Sequence, residues 1–180
     1  MLKALATAAT VVLAAQAPAA AQIPGEDPTI ATANLIDREG NPVGTAALVE
    51  TPHGVLIQPQ LRSLPPGVHA IHLHENGACE PPTFESAGGH YNPGERHHGI
   101  MNAEGAHAGD LPNIHVGEDG VLESDLLAVG VTLEEGAEGT LFPEGGTAIV
   151  IHAGPDDYRS DPAGNAGDRI ACGVIEMPAP

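Results

Sequence analysis

The 180-residue chain carries 24 acidic residues against six basic ones, for a formal charge of −18, and has only two phenylalanines, two tyrosines and no tryptophan. So acidic a chain is a poor partner for nucleic acid and for anionic membranes. Its length suits a single domain, whose core has to rest on aliphatic packing.

The N-terminus, MLKALATAATVVLAAQAPAAAQIPG, has the parts of a secretory signal. Lys3 gives a short positive region, Ala4 to Ala15 an apolar run, and Ala19, Ala20 and Ala21 a small-residue cleavage site before Gln22. The run is too short for a spanning helix. We expect a cleaved signal peptide over 1–21, a flexible N-terminal leader over 22–28 and one domain over 29–180, exported to the periplasm or secreted. Lys3 is the only lysine, so export leaves five arginines against 24 acids, a net charge of −19. No contact with the membrane is expected after signal cleavage.

Beyond the leader, short β-type runs alternate with turn signals. Strands are predicted near 29–37, 42–50, 54–60, 67–75, 112–116, 120–128, 146–153 and 169–176, with DREGNPVG and VGEDGV as hairpin turns. Eight short strands with polar turns predict an all-β, eight-stranded antiparallel Greek-key sandwich or barrel. Two long segments, 76–111 and 154–168, carry no strand pattern, and loops of that length in a compact domain usually have a function. Cys79 and Cys172 both lie in the exported part, which predicts one disulfide. Across so long a loop it would contribute roughly 4–5 kcal/mol in the chain-entropy picture. No long apolar surface stripe is visible, so monomer and homodimer both stay open.

The histidines carry the chemistry. In GVHAIHLHENG, His72 and His74 share one face of a predicted strand and His69 takes the other, because side chains alternate with period two. His69 is expected to be a packed, hydrogen-bonded residue. The loop GGHYNPGERHHGIMNAEGAHAGD is too rich in glycine and too poor in large apolar side chains to order itself by burial. It offers His90, His98 and His107, with Asp110 three residues beyond the last. Three imidazoles and a carboxylate fill a tetrahedral zinc site, and closing it would convert metal-binding free energy into loop order. His152, at the end of GTAIVIH, completes a second set with His72, His74 and one loop histidine; four imidazole nitrogens suit Cu(II). Two metals follow if one histidine serves both.

GVHAIHLHENGAC, the loop from SAGGHYNP through HAGDLPN, and GNAGDRIACGVI together resemble the copper/zinc superoxide dismutase family, in its exported bacterial form. The likeness runs in order from about residue 30 and includes His–x7–His–x8–His–x2–Asp and Gly-Asn-Ala-Gly-x-Arg-x-x-Cys. It implies copper ligands at His72, His74, His90 and His152, and zinc ligands at His90, His98, His107 and Asp110, with His90 as the bridge. The family spacing selects His98 over its neighbour His97. The family disulfide falls on Cys79 and Cys172, the anion-guiding arginine on Arg169, and the carboxylate joining the two ligand sets on Asp156, between His72 and His98.

The resemblance further implies conversion of superoxide to O2 and hydrogen peroxide by Cu(II)/Cu(I) cycling, with a structural Zn(II) and with His90 and Arg169 as catalytic residues. A chain this acidic and free of lysine after export must draw its anionic substrate with Arg169, the copper ion and Arg159. The alternative is an exported copper/zinc-binding protein without turnover, although relatives of that sort usually lack a copper ligand or the arginine. A zinc-stabilised adhesion sandwich would leave His72, His74 and His152 unexplained. His53, His97 and His115 are read as surface or structural residues.

Overall fold

Alternation with period two governs the first three strands. β1 (Ile30–Asp37) turns Ala31, Ala33 and Leu35 inward, β2 (Pro42–Thr51) Ala46 and Leu48, with Val43 buried where the alternation breaks at its start, and β3 (Gly54–Leu61) Val55, Ile57, Pro59 and Leu61. A register shift after Leu35 accommodates the turn between β1 and β2. Asp37 closes that turn by accepting hydrogen bonds from the backbone N–H of Glu39 and of Asn41, at 3.0 and 2.8 Å.

The computed structural model describes residues 30–178; the expected signal peptide, leader and residue 29 lie outside them. The remaining strands are β4 (Gly67–His69), β5 (Ile71–His74), β6 (Ile114–Val116), β7 (Leu122–Glu123), β8 (Leu126–Ala128), β9 (Ala148–His152) and β10 (Arg169–Glu176). The larger sheet runs β5-β9-β10-β1-β2-β3, with β7 and β8 both on the outer edge of β3, and β4 pairs with β6. Every pairing is antiparallel. The chain leaves β3 for the opposite end of the sheet and crosses back after β8, a Greek-key path in a strongly curled half-barrel.

Eight expected strands become ten among the described residues because two of them break. The run 67–75 divides at Ala70, which donates to the Gly154 carbonyl and accepts from the His152 N–H, so that β4 joins β6 while β5 joins β9. The run 120–128 divides at Ser124 and Asp125. The Gly117–Val121 turn closes at 3.2 Å as a hairpin turn would, yet β6 and β7 belong to different sheets. The two long loops are present, and the first contains a single 3-10 turn at Glu85–Ala87.

The core is aliphatic, with Tyr91 buried in it and the partly buried Phe142 packed against it; Phe84 lies instead in a smaller cluster with Ala87, Ala148, Val150 and Cys172. The outer face corrects one expectation. Ile30 opposes Val49, Val49 opposes Leu56, and Leu56 opposes Leu127, which makes one apolar row across β1, β2, β3 and β8. Its end members Ile30 and Leu127 are 41% and 44% exposed. The four residues are far apart in sequence, and only strand register aligns them.

Candidate metal centre

β5 is buried along its whole length, which places His72 and His74 inside the molecule beside β9 and its terminal His152. The free edge of β5 takes up the first loop. Leu73 N–H donates to Gly109 O at 2.9 Å, Tyr91 N–H to Leu73 O at 2.8 Å, Glu75 N–H to Gly89 O at 3.0 Å and Gly109 N–H to Tyr91 O at 2.8 Å. Both ends of the histidine loop are thus laced to one strand, and His90 and Asp110 face His74 and His72 across it. The Tyr91 hydroxyl donates to Thr140 O at 2.7 Å. The loop therefore has anchors that its composition did not reveal, because they are backbone bonds to a distant strand.

Two groups of donor atoms result, each with its atoms within 4.8 Å of one another: His72, His74, His90 and His152, and His90, His98, His107 and Asp110. In the first group the tautomers are set from outside. His72 Nε2 meets Asp156 Oδ2 at 2.7 Å, His74 Nδ1 meets Gly88 O at 3.0 Å and His152 Nδ1 meets Gly167 O at 3.2 Å. A neutral imidazole has one N–H, and these acceptors take it, so the other nitrogen keeps a lone pair. Those nitrogens, His72 Nδ1, His74 Nε2 and His152 Nε2, together with His90 Nε2, are buried with no hydrogen-bond partner. Four buried, unpartnered nitrogens in one place are costly by themselves, and four imidazole nitrogens are a donor set that suits a copper ion.

Burial also keeps the rings uncharged. It pulls His72 down to about 4, His74 to about 2 and His152 to about 3, and it lowers His107 as well. Neutral imidazole is the form that binds metal.

In the second group, Asp110 Oδ1 lies 2.8 Å from His90 Nδ1, 3.0 Å from His98 Nδ1 and 3.3 Å from His107 Nδ1. Its Oδ2 accepts the backbone N–H of Gly99 and of His107. Burial opposes ionisation of Asp110, but hydrogen bonds from His90 and Gly99 outweigh it and hold the carboxyl near 2. His98 Nε2 meets Asp156 Oδ1 at 3.0 Å, which leaves its Nδ1 lone pair for the group. Three nitrogens and a carboxylate oxygen at this spacing fit zinc. His90 alone belongs to both groups, one ring nitrogen in each.

Asp156 spans the groups and is itself clamped. Its N–H donates to Asn113 Oδ1 at 2.8 Å, its carbonyl accepts from Asn113 Nδ2 at 2.9 Å, and the Tyr158 hydroxyl accepts from Asn113 N–H at 2.7 Å. Hydrogen bonds from His72 and His98 prevail over burial and hold its carboxyl below the usual range. Gly164, at φ +62°, passes so close that a Cβ there would meet Asp156 Oδ1 and lie 2.8 Å from His98 Nε2. Neither Asn113 nor Gly164 was given a role from the sequence, although both stand inside quoted motifs.

An open depression of about 520 Å³ leads to the first group, lined by His74, His90, His107, His152, Arg96 and Arg169. Arg169 donates to Phe84 O and Gly88 O, each at 2.6 Å, and Gly88 O also receives His74 Nδ1. The Cys79–Cys172 disulfide and the buried Phe84 cluster hold that carbonyl segment in place. Arg159 is a correction: it does not line the depression, and its guanidinium lies on Met101 O and Sδ instead. Arg96 lines it instead, as do the acids Glu75 and Glu95.

The other histidines stay outside both groups. His69 is buried with Nδ1 2.9 Å from His152 O and Nε2 2.8 Å from Pro65 O, while His53 and His115 are exposed. His97 lies beside Asp161 at 2.7 Å.

Residues 43–175 match the family model described as copper/zinc superoxide dismutase. The chain belongs to that family. It is 56% identical over 146 residues to Superoxide dismutase [Cu-Zn] 2 of Aquifex aeolicus, an alignment that covers 81% of this chain and 85% of the relative. The structure of a SOD-like protein from Bacillus subtilis superposes with a TM-score of 0.77 at 41% identity, over 79% of this chain and 96% of that one. Cu/Zn superoxide dismutase from Brucella abortus gives 0.68 at 31% identity, over 82% and 99%. Superoxide dismutation is thus the activity of this enzyme, and copper and zinc are its cofactors.

Proposed function

We propose that His72, His74, His90 and His152 hold the copper and that His90, His98, His107 and Asp110 hold the zinc, with His90 as bridge. The observation that carries this reading is the set of four buried imidazole nitrogens without partners, three of them on rings whose other nitrogen is committed to an oxygen acceptor. Bound copper supplies a one-electron Cu(II)/Cu(I) couple for superoxide, and zinc, without redox chemistry, supplies charge and geometry.

The protein's own groups do the rest. Arg169, fixed by two carbonyls at the floor of the depression, binds and orients the superoxide anion. His90 would hold zinc through the Nδ1 that lies beside Asp110, and its Nε2, aimed at the first group, would hold copper or, when free of copper, a proton taken from solvent for the reduced product. Asp156 sets the tautomers of His72 and His98 together, so that neither ring turns while His90 exchanges its proton.

The exported form is read as residues 22–180 after removal of a signal over 1–21, with 22–28 as leader and 29–180 as the domain; the disulfide supports an oxidising, periplasmic or extracellular location. A homodimer has a candidate surface in the row Ile30, Val49, Leu56 and Leu127. Sedimentation of the wild type and of Leu127→Glu decides between dimer and monomer.

Metal content after loading with both ions tests the site assignment. The wild type should hold one copper and one zinc; His152→Ala should lose copper and keep zinc, His107→Ala the reverse. Either variant with both metals intact and full turnover would refute the assignment.

A further inference from the structure

The His97-His98 doublet is gripped by one carboxylate from the other long loop. Asp161 Oδ1 accepts the backbone N–H of His98 at 2.6 Å, and Asp161 Oδ2 accepts the Nδ1–H of His97 at 2.7 Å. Asp156 reaches only the ring of His98, whereas Asp161 holds its main chain. The other bonds between these loops are made by backbone or by a long surface side chain: Met101 N–H to Tyr158 O at 3.1 Å and Arg159 to Met101 O at 3.4 Å. Immediately after Asp161, Pro162 and Ala163 line the substrate depression beside His74 and His90. One residue therefore stands between the placement of a buried ligand histidine and the lip of the entrance.

Resting on the assignment of His98 to zinc, we propose that Asp161 is a positioning residue for the zinc site. It is a clasp that ties the 154–168 loop to the histidine loop through the His98 main chain and the His97 ring. The bond to His98 fixes the peptide from which the buried ring projects, and so fixes Nδ1 relative to His90, His107 and Asp110. The bond to His97 keeps the same carboxylate from turning away. His97, which is not in either ligand group, thereby acquires a function as the outer half of the clasp. The side chains of His97 and Asp161 are 58% and 46% exposed, so loss of the clasp loosens the site without unfolding it.

Zinc and copper release from fully loaded enzyme into a chromogenic chelator tests this in the wild type, Asp161→Ala, Asp161→Asn and His97→Gln. Outer partners of metal ligands are typically worth a factor of 10 or more in affinity, so Asp161→Ala should release zinc about 10-fold faster with copper release unchanged. Asp161→Asn, which keeps an oxygen for the His98 N–H, should fall between it and the wild type. His97→Gln should have a smaller effect that adds nothing in the Asp161→Ala background. Cobalt placed in the zinc site should show altered visible bands in Asp161→Ala. Unchanged zinc release, equal acceleration of both metals, or full additivity of the two substitutions would overturn the clasp. Full zinc retention by His98→Ala would instead remove the ligand assignment beneath it. If Asp161→Ala does not fold, Asp161→Asn and His97→Gln still decide, since both must speed zinc release selectively.

Discussion

The carboxylate of Asp156 accepts the Nε2–H of His72 at 2.7 Å, and through its second oxygen the same group holds His98 at 3.0 Å. The two candidate ligand groups are thus joined twice, once through His90 and once through Asp156. Asp156→Asn keeps one acceptor oxygen and turns an NH2 toward the other ring's N–H, so one imidazole loses its fixed tautomer. Affinity for metal should fall by roughly 10–100-fold. Gly164→Ala should resemble it, because the added Cβ enters the Asp156–His98 contact. Competition with a chelator of known affinity checks both, and the double variant should be no worse than the more severe single one. Independent, additive effects would mean that the glycine acts elsewhere.

The disulfide should matter for rate as well as stability. Cys172 shares the small cluster with Phe84, whose carbonyl accepts from Arg169. Replacing Cys79 and Cys172 by serine should cost about 2–5 kcal/mol of stability. It should also lower kcat/KM in protein that remains folded and metal-loaded, because Arg169 loses its seat. Denaturant melts and pulse-radiolysis rates on the same samples separate the two effects. Reduced stability with an unaltered rate would show that the carbonyl segment holds its shape without the bridge.

Two arginines, Arg96 and Arg169, line the depression of an otherwise acidic molecule. A local positive field in a depression can draw an anion even when the net charge is strongly negative. The rate should therefore fall as salt is added. Arg169→Glu should lower kcat/KM at least about 10-fold with both metals retained. Arg96→Gln should lower it less and flatten the salt dependence, with convergence on wild type at high ionic strength. A wild-type rate that rises with salt would mean that repulsion by the whole acidic surface dominates.

The metal-free protein should be sensitive to acid. Histidine titrates near 6.5 in an unfolded chain, whereas burial moves His72 to about 4, His152 to about 3 and His74 to about 2 in the folded one. Between about pH 6.5 and 4 the unfolded chain holds more protons, so stability rises with pH in that window and is lost on acidification. Melting temperatures of chelator-treated protein between pH 7.5 and 4 test this. A flat profile would show that the rings are protonated in the folded state.

Much of this protein is legible in its sequence because the signals are local. Period-two alternation sets the inward faces of β1, β2 and β3, and the same period puts His72 and His74 on one side of a strand. Asp37 and Gly40 mark the first turn, and two runs without periodicity mark the long loops. The spacing of His90, His98, His107 and Asp110 is visible as a pattern before any folding.

Other features depend on contacts between residues remote in the chain, and no local signal encodes those. Ala70 breaks a predicted strand because it bonds to Gly154 and His152. Arg96 replaces Arg159 at the entrance because of where two loops come to lie, and Ile30, Val49, Leu56 and Leu127 become one row only through register. The sequence by itself determined the β architecture and the residue types of the site, since periodicity and ligand chemistry are written along the chain. Only the tertiary structure decided which nitrogen of each ring is left free, because that is set by acceptors on Gly88, Gly167 and Asp156, supplied across the fold.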